Sequence, residues 1–174
     1  MVQPSFCIRK VTLEDIRYKE EATKVVNAAY RSEGGWTSEK EHVEGERITV
    51  NEMEEFIRTN GNPYTLLFAF DEGKVVGTVQ IKPLNQDEAA ISLFSVSPTC
   101  QSHGFGGRLI RAALSEMKTL GFKNCVLHVF NNRTELLAWY KKIGFKETGE
   151  QVSFSVPDKL KSKDLHFVVL KMAT

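Results

Sequence analysis

The stretch Gln101-Ser102-His103-Gly104-Phe105-Gly106-Gly107 follows a run of strand formers ending Phe94-Ser95-Val96-Ser97-Pro98 and opens an amphipathic helix that starts near Gly106. Its three glycines within four positions let the chain turn tightly and expose successive N–H groups. The helix that follows adds its unpaired N-terminal donors and the positive end of its dipole, so the stretch reads as a backbone cradle for an anion of pyrophosphate size. A Walker loop requires Gly-Lys followed by Ser or Thr, whereas Gly107 is followed by Arg108 and Leu109. A dinucleotide fingerprint requires Gly-x-Gly-x-x-Gly with an acidic ribose reader further on. Position 109 is Leu, and the next predicted strand, 125–130, carries no acid.

Outward from the cradle, the apolar periodicity lays out one continuous domain over residues 1–174, without repeats, low-complexity segments or Pro/Gly/Ser-rich linkers. Phe6 to Lys10 reads as a strand, and Thr12 caps a helix expected over 13–30. Thr49-Val50-Asn51-Glu52 has capping-box spacing for a helix carrying Met53, Phe56 and Ile57, which stops at Asn60-Gly61-Asn62-Pro63. Residues 65–70 and 74–82 are rich in β-formers and joined by Asp71-Glu72-Gly73, an antiparallel hairpin. A strand over 89–96, a helix over 106–120 and a strand over 125–130 form a unit whose right-handed crossover makes the two strands parallel. A helix over 134–143 and strands over roughly 145–154 and 165–172 complete the chain. The fold class is α+β, with a mixed, mainly antiparallel sheet flanked by helices.

Composition narrows the function. With 174 residues, 41% hydrophobic and 26% charged, the chain buries a sizeable core without metals or disulfides. A formal charge of +1 gives no global field for nucleic acid or a membrane surface. The cysteines Cys7, Cys100 and Cys125 are widely spaced and form no Cys-x-x-Cys pair, and no apolar span approaches ~20 residues. These features predict a reduced compartment, cytoplasm or nucleus, with no membrane partner. The histidines His42, His103, His128 and His166 are scattered singly, which predicts no metal site.

The pattern Gln-x-x-Gly-x-Gly, met by Gln101, Gly104 and Gly106, resembles the acyl-CoA signature of the GCN5-related N-acetyltransferases. Leu136-Leu137-Ala138-Trp139-Tyr140-Lys141-Lys142-Ile143-Gly144-Phe145 is similar to that family's later motif, an aromatic-Tyr pair followed by Lys, an aliphatic residue, Gly and Phe. The resemblance implies that the parallel strands splay apart and hold the pantetheine arm of acetyl-CoA against the backbone of Phe94, Ser95 and Val96. It implies that the diphosphate meets N–H groups of Ser102, His103, Gly104, Phe105, Gly106 and Gly107, with Gln101 positioning the loop. Arg108, one residue past the loop, and Arg111, one turn later, can each reach a phosphate, while the solvated face of an amphipathic helix explains the same residues. The family carries Asn seven residues before its Tyr, where this chain has Arg133; Asn132 can make the pantetheine contact and Arg133 can reach phosphate, while an ordinary strand-to-helix turn explains the same letters.

Acetyl transfer to an amine needs a neutral nucleophile, donors for the developing oxyanion and a proton for the departing thiolate. The resemblance places Tyr140 near the carrier sulfur as the proton donor, a phenol with an ordinary pKa of about 10. No carboxylate occurs in Ile91-Ser92-Leu93-Phe94-Ser95, and Glu88 lies just before it, so the base is left to a solvent-linked path or to residues 36–47. That segment is the candidate acceptor site: Trp36 as an apolar wall, Glu39 or Glu46 for a cationic amine, and Arg47 for a carboxylate. Ser38-x-x-Glu41 is equally a capping box with solvated charges. A covalent relay through Cys100 or Cys125 has no activating partner in the sequence. The expected activity is direct transfer from acetyl-CoA to a primary amine of a small molecule or peptide, by a monomer or homodimer. The alternative is a non-catalytic acyl-CoA-binding domain that does not depend on Tyr140.

Overall fold

Alternate side chains of the central hairpin feed two separate cores, because successive strand residues point to opposite faces. The computed structural model describes residues 5–31, 45–100, 103–153 and 165–174. Strands β1 (Phe6–Lys10), β2 (Thr65–Asp71), β3 (Lys74–Pro83), β4 (Glu88–Val96), β5 (Asn124–Phe130), β6 (Lys146–Val152) and β7 (Phe167–Ala173) form one sheet in the order β1-β2-β3-β4-β5-β7-β6. Every neighbouring pair is antiparallel except β4 and β5. Leu67, Ala69, Val79 and Ile81 pack against α3 (Phe105–Thr119) and α4 (Thr134–Ile143), whose sheet-facing residues include Leu109, Ala113, Leu137 and Tyr140. Leu66, Phe68 and Phe70 pack on the other face against α1 (Lys19–Arg31) and α2 (Val50–Arg58) through Val25, Val26, Met53 and Ile57.

The expected helix over 13–30 begins instead with a 3₁₀ segment, Leu13–Tyr18, before α1. Asp15, buried at 1% exposure, explains the tighter start. Its carboxylate accepts from Thr12 N–H at 2.7 Å and from both guanidinium nitrogens of Arg9 at 2.7 and 2.8 Å, drawing the first turn back onto β1. At the other end of the chain the order differs from simple succession: β7 lies between β5 and β6. The remaining boundaries shift by a residue or two; the predicted end of β6 at Phe154 lies outside the described residues, and the strand closes at Val152.

The feature that positions the site is a bulge in β4. Thr78 faces Ser95 and Gln80 faces Ser92, so two β4 residues, Leu93 and Phe94, oppose Val79 alone. Leu93 takes φ 47°, a left-handed conformation that a bulky residue adopts only where its surroundings enforce it. The enforcing group is Thr78, wholly buried, whose hydroxyl donates to Leu93 O at 2.6 Å. That donation uses its only hydrogen, so the 2.6 Å contact to Ser95 Oγ has Ser95 as donor. The parallel ladder with β5 covers only Glu88, Ala89 and Ala90, paired with Asn124, Cys125 and Val126. Beyond the bulge the two strands part.

Candidate active site

Where β4 and β5 diverge, a cavity of about 780 Å³ opens between α3 and α4. Phe94 and Val96 of β4 form its floor, Gly104, Phe105, Gly106 and Gly107 one end, and Trp139 and Ile143 of α4 a wall. Gly104 caps α3 with φ 78°, a conformation glycine adopts without steric cost, and contributes no side-chain oxygen to the helix start. The first amide hydrogen-bonded back into the helix is Arg108 N–H, to Gly104 O at 3.3 Å. The N–H groups of Phe105, Gly106 and Gly107 therefore remain donors at the positive end of a 15-residue helix. A Cβ on Gly106 would lie 3.5 Å from Phe94 Cζ and 3.6 Å from Trp139 Cη2, ordinary contact distances, so a side chain at this position would point at the aromatic wall.

The two candidate arginines are separated by the fold. The Arg108 guanidinium lies 4.1 Å from the Phe6 ring centroid, and Phe6 in turn stacks on Phe105 at 4.1 Å, which ties the start of α3 to β1. Arg111 lines the cavity, with its guanidinium beside Gly107. Lys142, which the sequence reading passed over, joins it from α4; its signal is its position three residues after Trp139, on the same helical face. His103 is exposed and meets Phe105 edge-on at 5.6 Å.

Tyr140 sits at the inner edge of this wall, 4% exposed, edge-on to Trp139 at 5.1 Å and to Phe145 at 5.7 Å, with Phe94 at 6.4 Å. Burial pushes its phenol well above the ordinary value, and the phenol of Tyr30 and the thiol of Cys125 add to the effect. It therefore keeps its proton at neutral pH. Tyr30 belongs to α1, on the opposite face of the sheet. Burial also pushes the Cys125 thiol up to about 12, which leaves no thiolate for a covalent relay at neutral pH. Glu88, the carboxylate nearest the start of β4, is bonded to Lys171 at 2.7 Å; Lys171 and then Asn85 hold it below the usual carboxylate range.

Ser95 directs its side chain to Thr78, so only its backbone faces the gap, as the resemblance requires of that contact. Asn132 and Arg133 form the turn between β5 and α4; Arg133 N–H donates to Phe130 O at 3.0 Å, and the Arg133 charge reaches the Tyr140 phenol. Arg47 stands over the ring of Tyr30, 5.3 Å from its centroid, while Glu46 is exposed. Gln101, Ser102, Trp36 and Glu39 lie outside the described residues.

A cavity of this size, apolar along β4 and α4 and ending in three backbone donors and two cations, fits a long thiol carrier with a diphosphate at one end. The comparisons agree. The model of the acetyltransferase (GNAT) family matches residues 25–145. The uncharacterized N-acetyltransferase YjgM of Escherichia coli (strain K12) is 26% identical over 143 residues, covering 80% of this chain and 81% of the relative. The crystal structure of a putative phosphinothricin N-acetyltransferase superposes with a TM-score of 0.72 at 18% identity, covering 97% of this chain and 98% of the other. A GNAT family acetyltransferase from Elizabethkingia anophelis, with acetyl-CoA bound, gives a TM-score of 0.68 at 18% identity over 99% and 100% of the two chains. No helix among the described residues is long and apolar enough to cross a membrane.

Proposed function

The chain belongs to the acetyltransferase (GNAT) family, and on that premise we propose that it moves an acetyl group from acetyl-CoA to a primary amine by direct transfer in a ternary complex. The observation that carries this reading is the early end of the β4–β5 ladder at Ala90 and Val126, next to the bulge at Leu93. Among the described residues, the edge of β4 at Phe94 and Ser95 lies beyond that ladder. The pantetheine arm of the carrier pairs with that edge, and the diphosphate lies on the N–H groups of Phe105, Gly106 and Gly107 with Arg111 and Lys142 alongside.

In the reaction the amine nitrogen attacks the thioester carbonyl carbon, the C–N bond forms and the C–S bond breaks. The proton lost by the amine passes to solvent, since no unpaired carboxylate of β4 is at hand: Glu88 is held by Lys171. Tyr140, which burial keeps protonated, gives the leaving sulfur its proton and regains one from solvent. Cys125, buried and protonated, takes no part.

Calorimetric titration with acetyl-CoA tests the carrier site, comparing the wild type with Gly106→Glu. A Cβ at position 106 meets only ordinary contacts, so the variant keeps its fold while its carboxylate enters the cavity. Binding by the wild type and its loss in the folded variant are expected; absence of wild-type binding would refute the transferase reading.

A further inference from the structure

Gln80, on β3, is 2% exposed, yet its Nε2 has no hydrogen-bond partner among the described residues. A buried amide N–H left unpaired is destabilising, and such a group calls for an explanation in the molecule's function. Its neighbour Thr78 on the same face is fully bonded, which makes the contrast local.

Gln80 is in register with Leu66 of β2 and Ser92 of β4, so all three face α1 rather than the carrier cavity. Ser92 immediately precedes Leu93, the bulged residue. The start of α1 is fixed at the start of β3, where Val75 N–H donates to Glu21 Oε1 at 3.0 Å. Tyr30, in the last turn of α1, packs in the same apolar cluster as Leu66, the register partner of Gln80.

Arg47 is fastened to α1, next to Ile48 of that same cluster. Asn27 Oδ1 accepts from the N–H groups of Arg47 at 2.8 Å and Ile48 at 3.1 Å, and its Nδ2 donates to Ile48 O at 2.8 Å. This clip sets the Arg47 guanidinium over the Tyr30 ring. A guanidinium stacked by its face keeps its in-plane fork of N–H groups for an oxyanion. The α1 side of the sheet, beside the bulged Leu93, thus offers an orphaned amide donor, the Ser92 hydroxyl and a stacked arginine.

We propose that Gln80 and Arg47 form an anion-reading end of the acceptor site, and that the acceptor is an amine that also carries a carboxylate, of amino-acid type. This deepens the N-acetyltransferase reading and rests on it. A carboxylate oxygen supplies the acceptor that Gln80 Nε2 lacks and pairs with the Arg47 fork. A polyamine, which when protonated offers donors only, would leave Gln80 Nε2 unpaired and bring its charge against Arg47.

The experiment compares matched acceptors, lysine with 1,5-diaminopentane, phenylalanine with phenethylamine, and 6-aminohexanoate with pentylamine, by kcat/KM at saturating acetyl-CoA. The same pairs are titrated calorimetrically with coenzyme A present. The wild type should favour at least one carboxylate partner tenfold or more. Gln80→Leu should lose most of that preference while melting no lower than the wild type, because it removes an unpaired polar group; Gln80→Glu should turn the preference toward the decarboxylated amine. Arg47→Met should lose the preference with the KM for acetyl-CoA unchanged. Equal or better use of the decarboxylated amines by the wild type would overturn the proposal, as would a preference that survives Gln80→Leu. The calorimetric arm reads the preference even without turnover. Failure of the transferase reading itself would show separately, as no binding of acetyl-CoA.

Discussion

Thr78→Val removes a hydroxyl from beneath the β4 bulge while leaving side-chain volume almost unchanged, so the loss it causes is that of hydrogen bonds rather than of packing. In the native protein this hydroxyl donates to Leu93 O and accepts from Ser95 Oγ, both at 2.6 Å, and Thr78 and Ser95 are each 0% exposed. The substitution strands the Ser95 donor and withdraws one partner from Leu93 O, at about 1–3 kcal/mol per stranded buried group, for a combined loss of about 2–4 kcal/mol after relaxation. For a chain of this length that is a fall in Tm of about 5–15 °C. Ser95→Ala should cost only about 1 kcal/mol, because Thr78 keeps its bond to Leu93 O. The double variant should fall no further than Thr78→Val alone, since it no longer contains the stranded Ser95 hydroxyl. Leu93 holds φ 47° only while this support exists, so the folded Thr78→Val protein should also bind acetyl-CoA more weakly. Differential scanning calorimetry and carrier titration read the two effects. A Thr78→Val protein that melts within about 1 °C of the wild type and binds acetyl-CoA equally well would refute the reasoning that this buried pair holds the strands apart.

Gly77→Ala should destabilise by about 1–3 kcal/mol in denaturant titration, because its Cβ would lie 2.7 Å from Leu109 Cδ1 and 2.9 Å from Ser95 O, and a sheet carbonyl cannot move aside cheaply. Tyr140→Phe should lower kcat about 100-fold or more with little change in the KM for acetyl-CoA; steady-state kinetics that show equal rates would remove the phenol from the mechanism. Burial alone would raise the Asp15 carboxyl, but the bonds from Arg9 and Thr12 outweigh it and hold the group below its ordinary value. Its contribution to stability is therefore present above the unfolded pKa of about 4 and lost as pH falls through the lower folded value. Melting curves across acid pH should show Asp15→Asn with a flatter acid limb than the wild type.

Much of the site was legible as local pattern. Gly104, Gly106 and Gly107 announce a tight turn into a helix because glycine alone frees the backbone there, and the fold delivers α3 with its first amides open. The spacing of Leu136, Leu137 and Tyr140 marks one apolar face of α4, and that face does pack into the core. Arg108 and Arg111 show where such reasoning stops. Both follow the glycine loop, and nothing local reveals that Phe6, about a hundred residues away, draws Arg108 to its ring while Arg111 lines the cavity.

The sequence by itself determined the order and type of the elements, the glycine turn into α3 and the aromatic helix α4, because helix periodicity, strand alternation and glycine's conformational freedom act over a few neighbouring residues. Only the tertiary structure decided that β7 lies between β5 and β6, that Leu93 is forced into a left-handed bulge by Thr78, and that Gln80 is buried without a partner. Each of those depends on groups brought together from distant parts of the chain. Their energies arise from register and burial, which no local run of residues contains.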